Sequence, residues 1–102
     1  MKRYHDSLVK ALKDPGEAAE YLNAVLEEGD KDMFLVALRN VAEAHGGMAK
    51  LSRIAKLNRA NLYKIFSKHG NPEIQTLNQI LEIFGLRLAV AAKPEISLRH
   101  AA

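Results

Sequence analysis

Apolar side chains recur along most of this chain at intervals of three and four residues, the period that gathers one face of an α-helix. Ala18, Leu22, Val25 and Leu26 form the first clear stripe. Before it stands Asp14-Pro15-Gly16-Glu17, which supplies an N-cap, a proline at the first helical position and a glutamate at the third. Gly29 after it is a C-terminal stop. Asp30 caps the next helix, whose stripe is Phe34, Leu38, Val41 and His45 with Leu35 and Ala42 beside it, and Gly46-Gly47 ends it. A short helix over 48–56 turns Met48, Leu51, Ser52 and Ala55 one way. Asn58 caps another, with Leu62, Ile65 and Phe66 inward. Asn71-Pro72 opens a helix with Ile74, Leu77, Ile80, Leu81 and Phe84 apolar, stopped by Gly85. Ser7 to Lys13 adds a turn or two at the start. The expected architecture is all-α, with five to six helices.

The pattern changes after Gly85. Leu86, Leu88 and Val90 alternate with Arg87 and Ala89, a strand period. A lone strand leaves its backbone groups unsatisfied unless it pairs. Residues 86–92 therefore read either as a short β-strand joined to a symmetry mate, making a homodimer, or as an extended tail or a continuation of helix. Residues 93–102 have little packing content and are expected to be a flexible tail. With 102 residues the chain fits one domain, 1–102. It is too short for a two-domain enzyme with a cleft between the domains.

Charge divides that domain. Residues 1–46 carry six basic and nine acidic side chains, whereas 47–102 carry nine basic and three acidic. The overall +3 is thus the sum of an acidic amino-terminal set of helices, 1–46, and a basic core, 47–85, with its tail. Lys50, Arg53, Lys56, Arg59, Lys64 and Lys68 follow one another with no acid among them. Such asymmetry marks either a surface turned to a polyanion or a solvated helix face. The chain has no cysteine, which excludes disulfides and thiolate metal sites. Its four histidines are scattered, and none pairs with another at the i, i+4 spacing of a helical metal site. No phosphate loop, nucleophile elbow or carboxylate pair appears, so neither an enzyme nor a cofactor is expected. No apolar run reaches membrane length and no leader-like segment opens the chain, so a cytoplasmic location with no membrane partner is expected.

The chemistry concentrates where two short helices meet at Lys56-Leu57-Asn58. A helix-turn-helix lays its first helix across the nucleic-acid backbone and sends the solvent face of the second into the major groove. The second helix here leaves Arg59, Ala60, Asn61, Tyr63 and Lys64 outside its Leu62/Ile65/Phe66 stripe. Arginine bonds guanine O6 and N7, asparagine bonds adenine N6 and N7, and alanine touches a thymine methyl. Arg59, Ala60, Asn61 and Lys64 are the candidate base contacts, Lys64 being equally suited to phosphate. Lys50, Arg53, Lys56, Ser67 and Lys68 suit phosphate. Tyr63 suits either a phosphate or a packed place on the neighbouring helix. Asn71 fits a cap that also presents backbone N–H groups to phosphate. Leu86, Leu88 and Val90 are the dimer-strand candidates.

Leu51-Ser52-Arg53-Ile54-Ala55-Lys56-Leu57-Asn58-Arg59-Ala60-Asn61-Leu62-Tyr63-Lys64-Ile65, followed by Asn71-Pro72, Thr76-Leu77 and Phe84-Gly85-Leu86, resembles the lambda-repressor-like (Xre-type) helix-turn-helix. More narrowly, residues 4–92 resemble the addiction-module antidote family, relatives of the HigA-like antitoxins. That likeness rests on Asp14-Pro15, Ala19-Glu20-Tyr21-Leu22-Asn23, Glu27-Glu28-Gly29-Asp30, Ala37-Leu38, Val41-Ala42, Leu62-Tyr63-Lys64, Gly70-Asn71-Pro72 and Leu86-Arg87-Leu88. Three positions depart from the repressor pattern: Met48 stands where many such domains carry glutamine, Ser52 where many carry alanine, and Lys56 where many carry glycine. A lysine in that turn would be mildly strained at positive φ, and a buried Ser52 would need a backbone acceptor. The resemblance implies a type II antitoxin that binds a RelE/ParE-like toxin and, as a dimer on double-stranded operator DNA, represses its own operon. Seven acids against one lysine over Asp14–Asp32 suit a basic toxin, or equally a solvated face. A stand-alone prophage-type repressor, or an interaction module that has lost DNA binding, are the alternatives.

Overall fold

The computed structural model describes residues 2–67 and 69–94. Among them lie six helices: α1 Lys2–Ala11, α2 Pro15–Glu28, α3 Lys31–Ala44, α4 Gly47–Ala55, α5 Arg59–Ile65 and α6 Ile74–Ile83. The all-α expectation is met. Lys68 and the tail beyond residue 94 lie outside the described residues.

Local chemistry starts most of these helices. Asp14 is extended and its carboxylate accepts the Glu17 N–H at 3.0 Å, with Pro15 at the first position of α2. Asp30 does the same for Met33 at 3.2 Å. Each such cap contributes ~1 kcal/mol. Gly29 closes α2 at φ 76, a left-handed conformation that costs other L-residues ~1–2 kcal/mol. His45 caps the end of α3 as its sequence position suggests, and its ring lies 5.0 Å from that of Phe84.

α3 is the centre of the molecule. Phe34, Leu35, Ala37, Leu38, Val41, Ala42 and Ala44 are all buried on it. It packs against α1, α2 and α4, and α4 in turn carries α5 and α6. Two polar ties fix the amino-terminal helices to it. Asn40 donates to the Tyr21 hydroxyl at 2.9 Å, and the His5 ring meets the Glu43 carboxylate at 3.1 Å.

Five expectations need correction. α1 begins at Lys2, not Ser7, and His5 in the added turn is held by Glu43. Leu26 is 51% exposed and Ile74 76% exposed, since each sits at a helix end where no neighbour covers its stripe. Asn71 is not a cap: α6 starts three residues later, at Ile74, and its cap position is taken by Glu73, whose side chain makes no capping bond. Asn71 to Glu73 are used in crossing from α5 to α6. Finally, residues 86–94 form no strand. Among the described residues no second extended segment pairs with them. Instead the Leu86 N–H closes the end of α6 on Leu81 O at 2.9 Å, and the Leu88 N–H goes to Asn78 Oδ1 at 3.2 Å.

Candidate nucleic-acid interface

α4 and α5 meet at a turn whose geometry is set by three groups. Ser52 Oγ donates to Leu57 O at 2.5 Å, so the half-buried hydroxyl has its backbone acceptor. The N–H groups of Lys56 and Leu57 both point back to Ser52 O. Lys56 itself is left-handed at φ 57, ψ 38, as expected of a residue standing in a turn that favours glycine. From the other side, Gln79 on α6 donates to Ala55 O at 2.9 Å and satisfies a carbonyl at the end of α4. Lys56→Gly is expected to raise stability by ~0.5–1 kcal/mol by relieving the left-handed cost. It should also weaken any polyanion binding by removing a cation. A denaturant midpoint reads the first effect and a salt titration the second.

Asn58 then opens α5. Its side chain accepts from the N–H of Ala60 at 2.7 Å and of Asn61 at 3.3 Å, so this asparagine is a cap. Leu62 and Phe66 are buried, Ile65 is half-buried, and Arg59, Ala60, Asn61, Tyr63 and Lys64 are exposed. At 100° per residue, Ala60 and Lys64 form one outward ridge with Asn61 beside it and Arg59 at its entry. On α4, Lys50 and Arg53 are exposed, as is Lys56 in the turn.

The carboxylates are elsewhere. No acid occurs between Glu43 and Glu73. Among the described residues, the ion pairs are His5–Glu43 and His69–Asp32, so Lys50, Arg53, Lys56, Arg59 and Lys64 are all without an acidic partner. Five unpaired cations on two adjoining short helices and their turn attract polyanions and release bound counterions when one docks.

The segment after α5 is tightly held. Ser67 Oγ donates to Lys64 O at 2.6 Å, so a hydrogen bond from it to phosphate requires the hydroxyl to leave that carbonyl. His69 is left-handed at φ 67, and Asp32 clamps it twice, accepting its N–H at 3.2 Å and lying 3.3 Å from its ring Nδ1. Asn71 is exposed beside them and lines an open depression with Lys64, Ser67, His69 and Gly70. Leu86 is half-buried, while Leu88 is 39% exposed and Val90 fully so.

Two features escape a reading of the chain by local pattern. One is Asp32, drawn from α3 to the loop after α5. The other is Arg39 of α3, whose guanidinium lies over the Tyr63 ring 5.7 Å from its centroid. Neither pairing has a spacing signal, because each joins residues more than twenty apart that only the packing of α3, α4 and α5 brings together.

The acidic segment also resolves into parts. Asp14 and Asp30 are caps and Asp32 is the clamp. Glu17, Glu20, Glu27 and Glu28 are exposed, and at 100° per residue they fall within about 100° of arc on α2. Among the described residues there is no cluster of three or more His, Asp or Glu able to hold a metal, and no helix is long and apolar enough to cross a membrane.

Sequence comparison gives the family of this all-helical chain. The chain belongs to the family described as probable addiction module antidote protein, which matches residues 3–92. An antidote role, with a toxin as partner in general terms, follows from that membership. The chain is also similar to an uncharacterized protein of Haemophilus influenzae, 34% identical over 79 residues that make up 78% of this chain and 80% of that protein. No solved structure gives a significant match.

Proposed function

We propose that the chain is a DNA-binding antitoxin whose α4–turn–α5 pair is a lambda-repressor-like helix-turn-helix, with α5 as the recognition helix. The observation that carries this is the row of exposed, unpaired cations around a helix whose outward face offers arginine and asparagine. Arg59, Ala60, Asn61 and Lys64 read base edges. Lys50, Arg53, Lys56, Tyr63, Ser67, Lys68 and Asn71 hold phosphates, fixing register without reading sequence. Two copies on a palindromic operator set their recognition helices one DNA turn apart, roughly 34 Å. Leu86, Leu88 and Val90 pair across the homodimer, which requires the Leu86 and Leu88 N–H groups to leave Leu81 O and Asn78 Oδ1. The exposure of Leu88 and Val90, and the absence of a strand partner for them among the described residues, support that pairing. Bound so, the protein represses its own operon.

The four-glutamate face of α2 is the surface for a basic RelE/ParE-like toxin, steered by opposite charge. That complex should form more slowly as salt is raised.

Arg59→Ala is expected to cost ~1–3 kcal/mol on the operator and to relax preference at one base position. Gel shifts on the upstream DNA and on single-base variants of it measure both. An unchanged affinity and preference would remove Arg59 from the base contacts. Absence of wild-type binding even at low salt would favour the interaction module, with the toxin face alone retained.

A further inference from the structure

We infer that Arg39, on α3, is a phosphate contact of the DNA-binding face, presented there by the Tyr63 ring. The inference rests on the DNA-binding reading above and extends its footprint to a third helix. In sequence, Arg39 and Glu43 stand four apart on one helix, the spacing at which arginine and glutamate ordinarily pair. That pair does not form. Both Glu43 oxygens are turned to the His5 ring of α1, at 3.1 and 3.3 Å. Arg39 is left without a carboxylate among the described residues and turns the other way, its guanidinium 5.7 Å from the centroid of Tyr63 on α5.

Tyr63 lies next to Lys64 and is 42% exposed. The guanidinium lies over its ring, a contact that attracts a cation without neutralising it. The N–H groups around the guanidinium edge stay open, in the planar fork that matches phosphate oxygens. His5 thus occupies the acid that would otherwise take Arg39, and Tyr63 fixes where the released cation points. On this account Tyr63 acts as a positioning residue for Arg39 whether or not its own hydroxyl reaches phosphate.

The test is a salt titration of duplex binding by the full chain, using the upstream DNA and an unrelated duplex of equal length. Arg39→Ala should weaken both duplexes alike, roughly threefold to tenfold at ~0.1 M salt, and lower the slope of log K against log salt by about one. Tyr63→Phe, which keeps the ring, should leave the contribution of Arg39 to that slope in place, whereas Tyr63→Leu should reduce it. Arg39→Lys should recover most of the slope and only part of the affinity. Thermal unfolding of Arg39→Ala separates a lost contact from a lost fold. An Arg39→Ala slope equal to wild type, in a background where Arg59→Ala still relaxes base preference, would overturn the Arg39 contact and leave the DNA-binding reading standing. Absence of wild-type binding to either duplex would overturn both.

Discussion

Gly70→Ala is expected to lower stability by about 2–3 kcal/mol, at the upper end of what one added methyl group costs in a packed site. Gly70 is buried. A Cβ there would drive into the Ile65 carbonyl oxygen, and would lie 2.8 Å from Ile65 C and 3.0 Å from Lys64 O. All three atoms are backbone, so no side chain can swing aside. Either the last turn of α5 shifts or the crossing to α6 does. The loop has little slack, because the Gly70 N–H is tied to Ser67 O at 2.9 Å and His69 is clamped by Asp32. The lesion should therefore reach the face of α5 and weaken duplex binding for every sequence, beyond what the unfolded fraction explains. Chemical denaturation with gel shifts at a temperature where the variant is folded would show both. A wild-type midpoint would mean that the crossing yields at little cost.

That glycine also marks where reading the chain ends. Asp14, Asp30 and Asn58 are legible as caps because a cap is a contact across two or three residues, and the order of residue types is enough to place it. The α3 stripe is legible for the same reason: Phe34, Leu38 and Val41 must share a face once the helix forms. The basic run and the outward side chains of α5 follow from the same periodicity. Leu26 and Ile74 mislead because periodicity gives a face but not what covers it, and both lie where their helices end. Asn71-Pro72 misleads because an N-cap signal cannot show that the chain still has to cross from one helix to the next. Ser52 is an intermediate case. Its need for a backbone acceptor was readable, but that the acceptor is Leu57 O, five residues on, is set by the left-handed Lys56 between them. The Asp32 clamp and the Arg39–Tyr63 contact belong to tertiary packing alone.

Phe84→Ala is the other substitution with a large expected effect, a loss of ~3–5 kcal/mol. Phe84 is 2% exposed and is among the largest side chains in the core. For a domain whose total stability is of the order of 5–15 kcal/mol, that is enough to populate the unfolded state. The ring sits at the end of α6 and stacks on His45 at the end of α3. It therefore braces the step from α3 through Gly46-Gly47 into α4, the first helix of the basic pair. His45 adds a second term. Its Nε2 is buried with no hydrogen-bond partner among the described residues, a burden of ~1–3 kcal/mol carried by the native state. Removing the phenyl ring takes away the aromatic neighbour of the His45 ring and leaves that ring to repack. His45→Ala removes the orphaned nitrogen outright. The two losses should accordingly be non-additive, with a coupling of ~0.5–1.5 kcal/mol for the stacked pair. A double-mutant cycle on unfolding midpoints measures it. Strict additivity would show that the 5.0 Å stack contributes no more than proximity, and that the stability of this corner comes from Phe84 packing against the rest of the core.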